Sequence, residues 1–329
     1  MKEIDVKYIF LLYDNRSGST MISEILDSFD QIEVTYEIRF PIFILEYNKS
    51  LSDRSAVDYF FEQLEQKTDF RSYPIQLDEF RIVTYKFLER FTKENLFKAC
   101  LEAFIELSNL SNSKHVFFKV PGAYYYVHEI ANILPRASFL EIIRDGRAVF
   151  VSKRNAVNTE GYKMEASVIN AALNWAKKMR LTIGLDNVSR IRFEDVVLYG
   201  ETWLIDHLNS ESVVSVNATK KLGGGYRDKI LESQIHLHGN VGKSVLKSKI
   251  VDWKNEISQN ELWVYNLFAK RQLELLGYEP QVSSKSITAN RLIELIYEVF
   301  SFLALKLMRL TKAFFSDKSI LIKIKHQFK

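Results

Sequence analysis

The sequence predicts an α/β protein built on a P-loop-like parallel sheet flanked by helices, with a basic amphipathic helix appended at its C-terminus. Three observations carry this. Short, continuously apolar runs alternate with longer segments whose apolar residues recur at helical spacing, which is the signature of strands joined by crossover helices. The first such unit, KYIFLLYDNRSGSTMISEIL from Lys7 to Leu26, joins a strand to a helix through a short polar loop. The 329 residues are 47% hydrophobic and contain only five Pro and twelve Gly, enough for one large core and too few breakers for long linkers.

In order along the chain, Ile9 to Leu12 reads as a strand buried on both faces, ended by Asp14 and Asn15. Arg16, Ser17, Gly18, Ser19 and Thr20 form the loop. Met21, Ile22, Ile25, Leu26 and Phe29 mark the helix that follows. A helix N-terminus after a small-residue loop is an anion site, because its first N–H groups lack partners and the helix dipole is positive there. Gly18 permits close approach to the backbone, the hydroxyls of Ser17, Ser19 and Thr20 add donors, and Arg16 adds a fixed charge. The same five residues are also compatible with a plain capped helix and a solvated Arg16. A Walker A loop is a worse fit, since it needs a second Gly followed by Lys and Ser or Thr.

Ile32 to Thr35 reads as a second strand, with Tyr36-Glu37-Ile38-Arg39 at its end. Phe40 to Gln66 is mostly helical with a break at Asn48 to Asp53, and Asp69 to Phe80 is irregular around Pro74. Lys93 to Leu107 is an amphipathic helix capped by Thr92. Val116 to Val120 is a buried strand ending at Lys119, and Tyr124 to Leu134 a helix stopped by Pro135. Ser138 to Ile143 is a strand ending at Arg144, followed by a helix to about Asn155. Met164 to Ile183 is a long helix, Val188 to Phe193 a strand ending in Glu194 and Asp195, and Glu201 to Leu208 a helix. Lys221 to Lys249 is loop-rich. Ser258 and Glu261 make a capping box for a helix that runs to Leu276, with Gly277 beyond it. Ligands of such sheets bind at the carboxyl ends of the strands, where Arg16, Glu37, Lys119, Arg144 and Glu194 all fall.

Taken alone, Glu37 reads equally as an ion-pair partner of Arg39, Lys119 as a solvated strand-end lysine, Glu194 and Asp195 as caps of the next turn, and Trp175 as core. The single Cys100 excludes an intramolecular disulfide and fits a reducing compartment. MKEIDVK shows no signal-peptide or anchor pattern, so the sequence points to the cytoplasm. No His/Cys/Asp cluster has metal-ligand spacing, so no metal is expected.

The charge is uneven. From Ser286 to Lys329 eight Lys/Arg face three Asp/Glu, giving +5; the whole chain carries +4, so the rest carries −1. The body is therefore not a general nucleic-acid binder. Residues 281–329 form a basic, apolar helical tail after a domain spanning 1–280. The tail is too charged for a transmembrane span; it packs on protein, including a second copy, or lies in a membrane surface.

Read together, Arg16-Ser-Gly-Ser-Thr20 and FLEIIRDGRAVFVSKRN, with Arg144 at a strand end and Ser152 inside the next helix, resemble the sulfotransferase superfamily that uses 3′-phosphoadenosine 5′-phosphosulfate (PAPS). Lys119-Val-Pro121, IRFEDVV and DWKNEIS follow in the family's order, so the resemblance runs from Tyr8 to about Pro280. RSGSTMISEILDSFDQIEVTYEIR is similar to the tyrosylprotein sulfotransferase branch and its bacterial relatives, although Tyr36 stands where that branch often has an acid. The resemblance implies a sulfotransferase fold and sulfuryl transfer from PAPS to an acceptor hydroxyl. It implies Glu37 as base, Arg16 and Lys119 as catalytic cations, and Arg39 as a substrate contact. Arg16, Ser17, Gly18, Ser19 and Thr20 are implied to hold the 5′-phosphosulfate, Arg144 and Ser152 the 3′-phosphate, and Lys249, with its neighbours Lys243, Ser244 and Lys247, to lie in a cofactor-covering segment. The acceptor is a glycan, glycolipid or small molecule, or alternatively a protein tyrosine. A nucleotide-dependent kinase and a non-catalytic membrane-bound binding protein are the rivals; the missing Walker lysine opposes the first, and Glu37, Arg16 and Lys119 together oppose the second.

Overall fold

The first strand, β1 (Lys7–Tyr13), sits at the centre of a five-stranded sheet because its side chains are apolar on both faces. The structure is a computed structural model describing residues 6–66, 75–110, 113–157, 161, 163–221, 226, 247–280, 295–296, 299–300, 302–303 and 306–307. β1 pairs in parallel with β3 (His115–Lys119) on one side and β4 (Ser138–Ile143) on the other. β2 (Ile32–Val34) and β5 (Val188–Arg192) form the edges, so the order is β2-β3-β1-β4-β5, all parallel. The register sets Leu11 opposite Lys119 and Val34 opposite Phe117, so the carboxyl ends are staggered, β3 running two residues past the end of β2 and β1 two residues past the end of β3.

The alternation along β1 sorts the two faces. Ile9 and Leu11, with Phe117, Leu140 and Ile142, meet Ile22 and Leu26 of α1 (Ser19–Asp27) and Leu204 and Leu208 of α9 (Phe193–Ser210). On the other face the rings of Phe10, Phe118 and Phe139 stack together. There Tyr8 donates a hydrogen bond to Glu102 of α5 (Lys93–Leu107). Between β2 and β3 the chain inserts α2 (Phe40–Glu46), α3 (Arg54–Glu65), α4 (Leu77–Phe87) and α5, joined through a cluster of Phe40, Phe43, Phe60, Phe61, Phe80 and Phe104. One carboxylate lies inside the sheet. Glu141 is 1% exposed and accepts from Tyr124 (3.0 Å), Thr182 (2.9 Å) and Arg190 (2.6 Å), so burial raises its pKa while three donors keep it satisfied.

The described chain divides into two compact units. The sheet and its helices occupy the first, up to Arg144 and from Leu181 to Ile250. The second holds α7 (Gly146–Asn155), α8 (Val168–Leu181) up to Arg180, α10 (Trp253–Glu256), α11 (Gln259–Leu275) and the described tail positions. Within the second, Gly146 lets the start of α7 approach closely: a Cβ there would stand 2.2 Å from the Tyr265 hydroxyl and 2.6 Å from the Trp175 ring. Arg154 of α7 pairs with Glu261 at 2.5 Å, and Ser258 with Glu261 forms the capping box of α11.

Three elements differ from the sequence expectation. Residues 77–80, expected to be irregular, begin α4, where Phe80 and Val83 bury one face and Asp78 and Glu79 complement the helix dipole. β5 ends at Arg192 rather than Phe193. The helix expected from Glu201 is present and runs to Ser210, and a further helical stretch that the periodicity did not announce precedes it from Phe193, the two separated by non-helical backbone at Gly200 (φ 86°). Trp175 is core, 2% exposed.

Candidate active site

The site is assembled at the carboxyl ends of β1, β2, β3 and β4. After Tyr13 the chain turns tightly, with the Ser17 amide donating to the Asp14 carbonyl at 3.1 Å. Arg16 (φ 71°) and Gly18 (φ 89°) both take left-handed backbone around Ser17, an alternation that turns successive N–H groups toward a common concavity. Gly18 is also the N-cap of α1 and, having no side chain, gives that helix no side-chain cap hydrogen bond. The buried Ser17 hydroxyl, 1% exposed, has no hydrogen-bond partner among the described residues. An uncapped helix start beside an unsatisfied buried hydroxyl is the donor set that an anionic group satisfies.

Gly18 has a second reason to be glycine. A Cβ there would lie 2.2 Å from the ring of Phe193, the first residue of α9. The Arg144 guanidinium stacks over that same ring at 4.5 Å and donates to the Arg16 carbonyl at 3.0 Å. The loop is therefore wedged by Phe193 and tied to the end of β4. Gly18→Ala is expected to lower stability by at least the left-handed penalty of about 1–2 kcal/mol, with ring displacement in addition. A falling melting temperature together with weakened anion binding would check this; unchanged values for both would refute it.

Beside the loop, β3 delivers Lys119, only 1% exposed. Its ammonium donates to the Thr20 hydroxyl (3.1 Å) and the Tyr226 hydroxyl (3.0 Å) and lies 3.7 Å from a Glu37 carboxylate oxygen. The rings of Tyr226 and Tyr13 lie 5.2 and 5.6 Å from it, so the charge sits between two aromatic faces. Burial brings Lys119 down to about 8, against the pull of Glu37 in the opposite direction. Glu37 is held by the backbone on either side of it. The Thr35 hydroxyl accepts from the Lys119 amide at 3.0 Å, and the Ile38 amide donates to the Lys119 carbonyl at 3.1 Å. The Tyr13 hydroxyl donates to the Glu37 oxygen that faces Lys119, at 3.2 Å. Burial first, and Glu37 next, raise the Tyr13 pKa well above its ordinary value, and the nearby Arg39 charge opposes that rise. Arg16 is half-buried, and burial lowers its pKa.

The structure thus gathers Arg16, Ser17, Gly18, Ser19, Thr20, Glu37, Arg39, Lys119 and Arg144 within the first unit. Ser152 lies in the second unit, half-buried on α7. Lys249 falls in a 3-10 turn, Lys247–Ile250, its side chain outside the described residues; Lys243 and Ser244 lie outside them altogether. Glu194 is buried in the first turn of α9 beside Asp195, where their charge favours the helix start. Three site residues escaped sequence reasoning: Tyr13, Tyr226 and Phe193. Tyr13 and Phe193 sit at strand ends, a signal available in the sequence. Tyr226 lies in a stretch with no periodicity at all. Among the described residues no group of three or more His, Cys, Asp or Glu is arranged to hold a metal.

The α/β protein thus has a parallel sheet whose first strand and helix are joined by a turn suited to an anionic group, with a buried lysine and a carboxylate beside it. Residues 9–205, more than half of the chain, match the model of the sulfotransferase family, and the chain belongs to that family. Among solved structures it is similar to the sulfotransferase domain of the Synechococcus PCC 7002 olefin synthase, at 16% identity over 82% of this chain and 97% of that one (TM-score 0.49). It is also similar to the sulfotransferase domain of the curacin biosynthetic pathway, at 16% over 83% and 98% (TM-score 0.43). Sulfotransferase STF9 from Mycobacterium avium matches at 11% over 83% and 78% (TM-score 0.41). No curated protein matches the sequence.

Proposed function

We propose that this sulfotransferase uses PAPS and transfers its sulfuryl group to a hydroxyl of a glycan, glycolipid or other small molecule. The observation that carries the reading is the buried, unpartnered Ser17 hydroxyl in an uncapped left-handed turn, with the Lys119 ammonium and Glu37 carboxylate 3.7 Å apart beside it. For the 5′-phosphosulfate the turn supplies N–H donors from Gly18 to Thr20 and the hydroxyls of Ser17, Ser19 and Thr20, and Arg16 supplies charge. Arg144 is assigned to the 3′-phosphate, and so is Ser152, on the resemblance of the RDGRAVFVS segment alone.

When bound, PAPS supplies a sulfuryl group on a phosphate oxygen that can depart with the bonding electrons. Glu37 takes the proton from the acceptor hydroxyl as that oxygen forms its bond to sulfur. Lys119, which is buried, and Arg16, which is half-buried, would hold positive charge where negative charge grows on the sulfuryl and departing phosphate oxygens. Thr20 and Tyr226 fix the ammonium, and Tyr13 fixes the carboxylate, so neither group must reorient during transfer. Arg39, exposed at the start of α2, stands where an acceptor would approach Glu37.

A thermal-shift comparison tests the nucleotide. The product, 3′-phosphoadenosine 5′-phosphate, should stabilise the protein by about 2.7 kcal/mol at 100 times its Kd, and ATP, which lacks the 3′-phosphate, should not. Arg144→Ala should remove most of the shift. Equal shifts from both nucleotides would overturn the PAPS assignment.

A further inference from the structure

The C-terminal segment carries an exposed apolar stripe that the transfer reaction does not use. Its described positions, 295–296, 299–300, 302–303 and 306–307, are helical. Five large apolar side chains among them are exposed: Ile296 50%, Val299 37%, Phe300 70%, Leu303 54% and Leu307 63%. At 3.6 residues per turn they fall within an arc of about 100°. The described positions therefore share one apolar, solvent-exposed helix face, which soluble surfaces avoid unless something covers it. Off this face, the Lys306 ammonium lies over the Phe302 ring at 4.5 Å.

Charge decides between the possible covers. Residues 306–329 hold seven Lys/Arg against one Asp, and residues 286–329 carry the net +5 that offsets an otherwise slightly acidic chain. A second copy docked through this segment would bring +5 against +5. A nucleic acid would satisfy the charge and leave the stripe bare. An anionic bilayer satisfies both, because its headgroups attract the lysines and its headgroup–acyl boundary takes the apolar face. Among the described residues no helix is long and apolar enough to cross a membrane. We propose that the segment beginning near residue 295 is an amphipathic helix that docks this protein on an anionic lipid surface through Ile296, Val299, Phe300, Leu303 and Leu307.

The test uses the full chain and sedimentation with vesicles, and does not depend on the transfer activity. Vesicles of phosphatidylcholine containing phosphatidylglycerol should bind the protein, and pure phosphatidylcholine vesicles should bind several-fold less. Binding should fall as salt rises from about 0.1 M to about 1 M, which shortens the screening length from about 10 to about 3 Å. The double variant Phe300→Asp/Leu303→Asp should lose vesicle binding while keeping the melting temperature of the body. Absence of binding to anionic vesicles, or equal binding to both compositions at both salt levels, overturns the proposal with the unmodified protein alone. A dimer in sedimentation velocity that the double variant dissociates, with no vesicle binding, would assign the stripe to self-association instead.

Discussion

Glu37→Gln is expected to lower kcat by about 10²–10⁴-fold, the usual worth of a positioned general base, while leaving binding of 3′-phosphoadenosine 5′-phosphate close to its original strength. The substitution keeps the size of the side chain and its ability to accept from Tyr13, and removes its basicity together with the negative charge 3.7 Å from the Lys119 ammonium. The donors proposed for the cofactor's anionic groups lie elsewhere, on the turn from Arg16 to Thr20 and on Arg144, so nucleotide binding should not register the change. Turnover with any active acceptor, measured beside a nucleotide titration on the same preparation, separates the two roles. Near-normal turnover would move the base to another residue. Lost nucleotide binding would make Glu37 a structural partner of Lys119.

Lys119→Met is expected to cost about 10²–10³-fold in kcat, comparable to deleting one preorganised donor from a charge-stabilising site. The folded protein should lose some stability, because an apolar side chain of similar length fills the buried site while Glu37, Thr20 and Tyr226 lose their partner. A large fall in turnover in a protein that stays folded at the assay temperature would mark Lys119 as catalytic; loss of the folded state there would make it structural. Since kcat/KM reports ionisations of the free enzyme, the wild-type profile should decline as pH rises through about 8, where the buried ammonium loses its proton. Tyr226→Phe removes one acceptor of that ammonium and should move this alkaline limb to lower pH. A limb that stays in place would show that Tyr226 does not act on the lysine.

Much of the site was legible because its parts are short and local. The turn from Arg16 to Thr20 combines a strand end, small residues and a helix start within a few positions, and chain geometry alone makes that combination an anion site. Glu37, Lys119 and Arg144 were legible as strand ends once the alternation of strands and helices implied a parallel sheet. The fold class followed from the same alternation. What failed was also local in cause. The helix at Leu77–Phe87 carries too many charges on its open face to look periodic beside Pro74. The helix from Phe193 is interrupted by Gly200, whose left-handed backbone splits one apolar pattern into two.

The sequence by itself determined the alternation of strands and helices, the small-residue turn after β1 and the unequal charge of body and tail, since each depends on neighbours in the chain. Only the tertiary structure decided which tyrosines enclose the lysine. Tyr13 and Tyr226 are separated by more than two hundred positions and meet at Lys119 through the packing of β1 and β3 against the segment after α9. It also decided that Lys119 is buried rather than solvated, and that its nearest carboxylate is held by pairing of β3 with the chain after β2. Burial and long-range register are properties of the assembled sheet. A strand-end lysine therefore acquires its depressed pKa, and its place beside the carboxylate, only when the sheet closes around it.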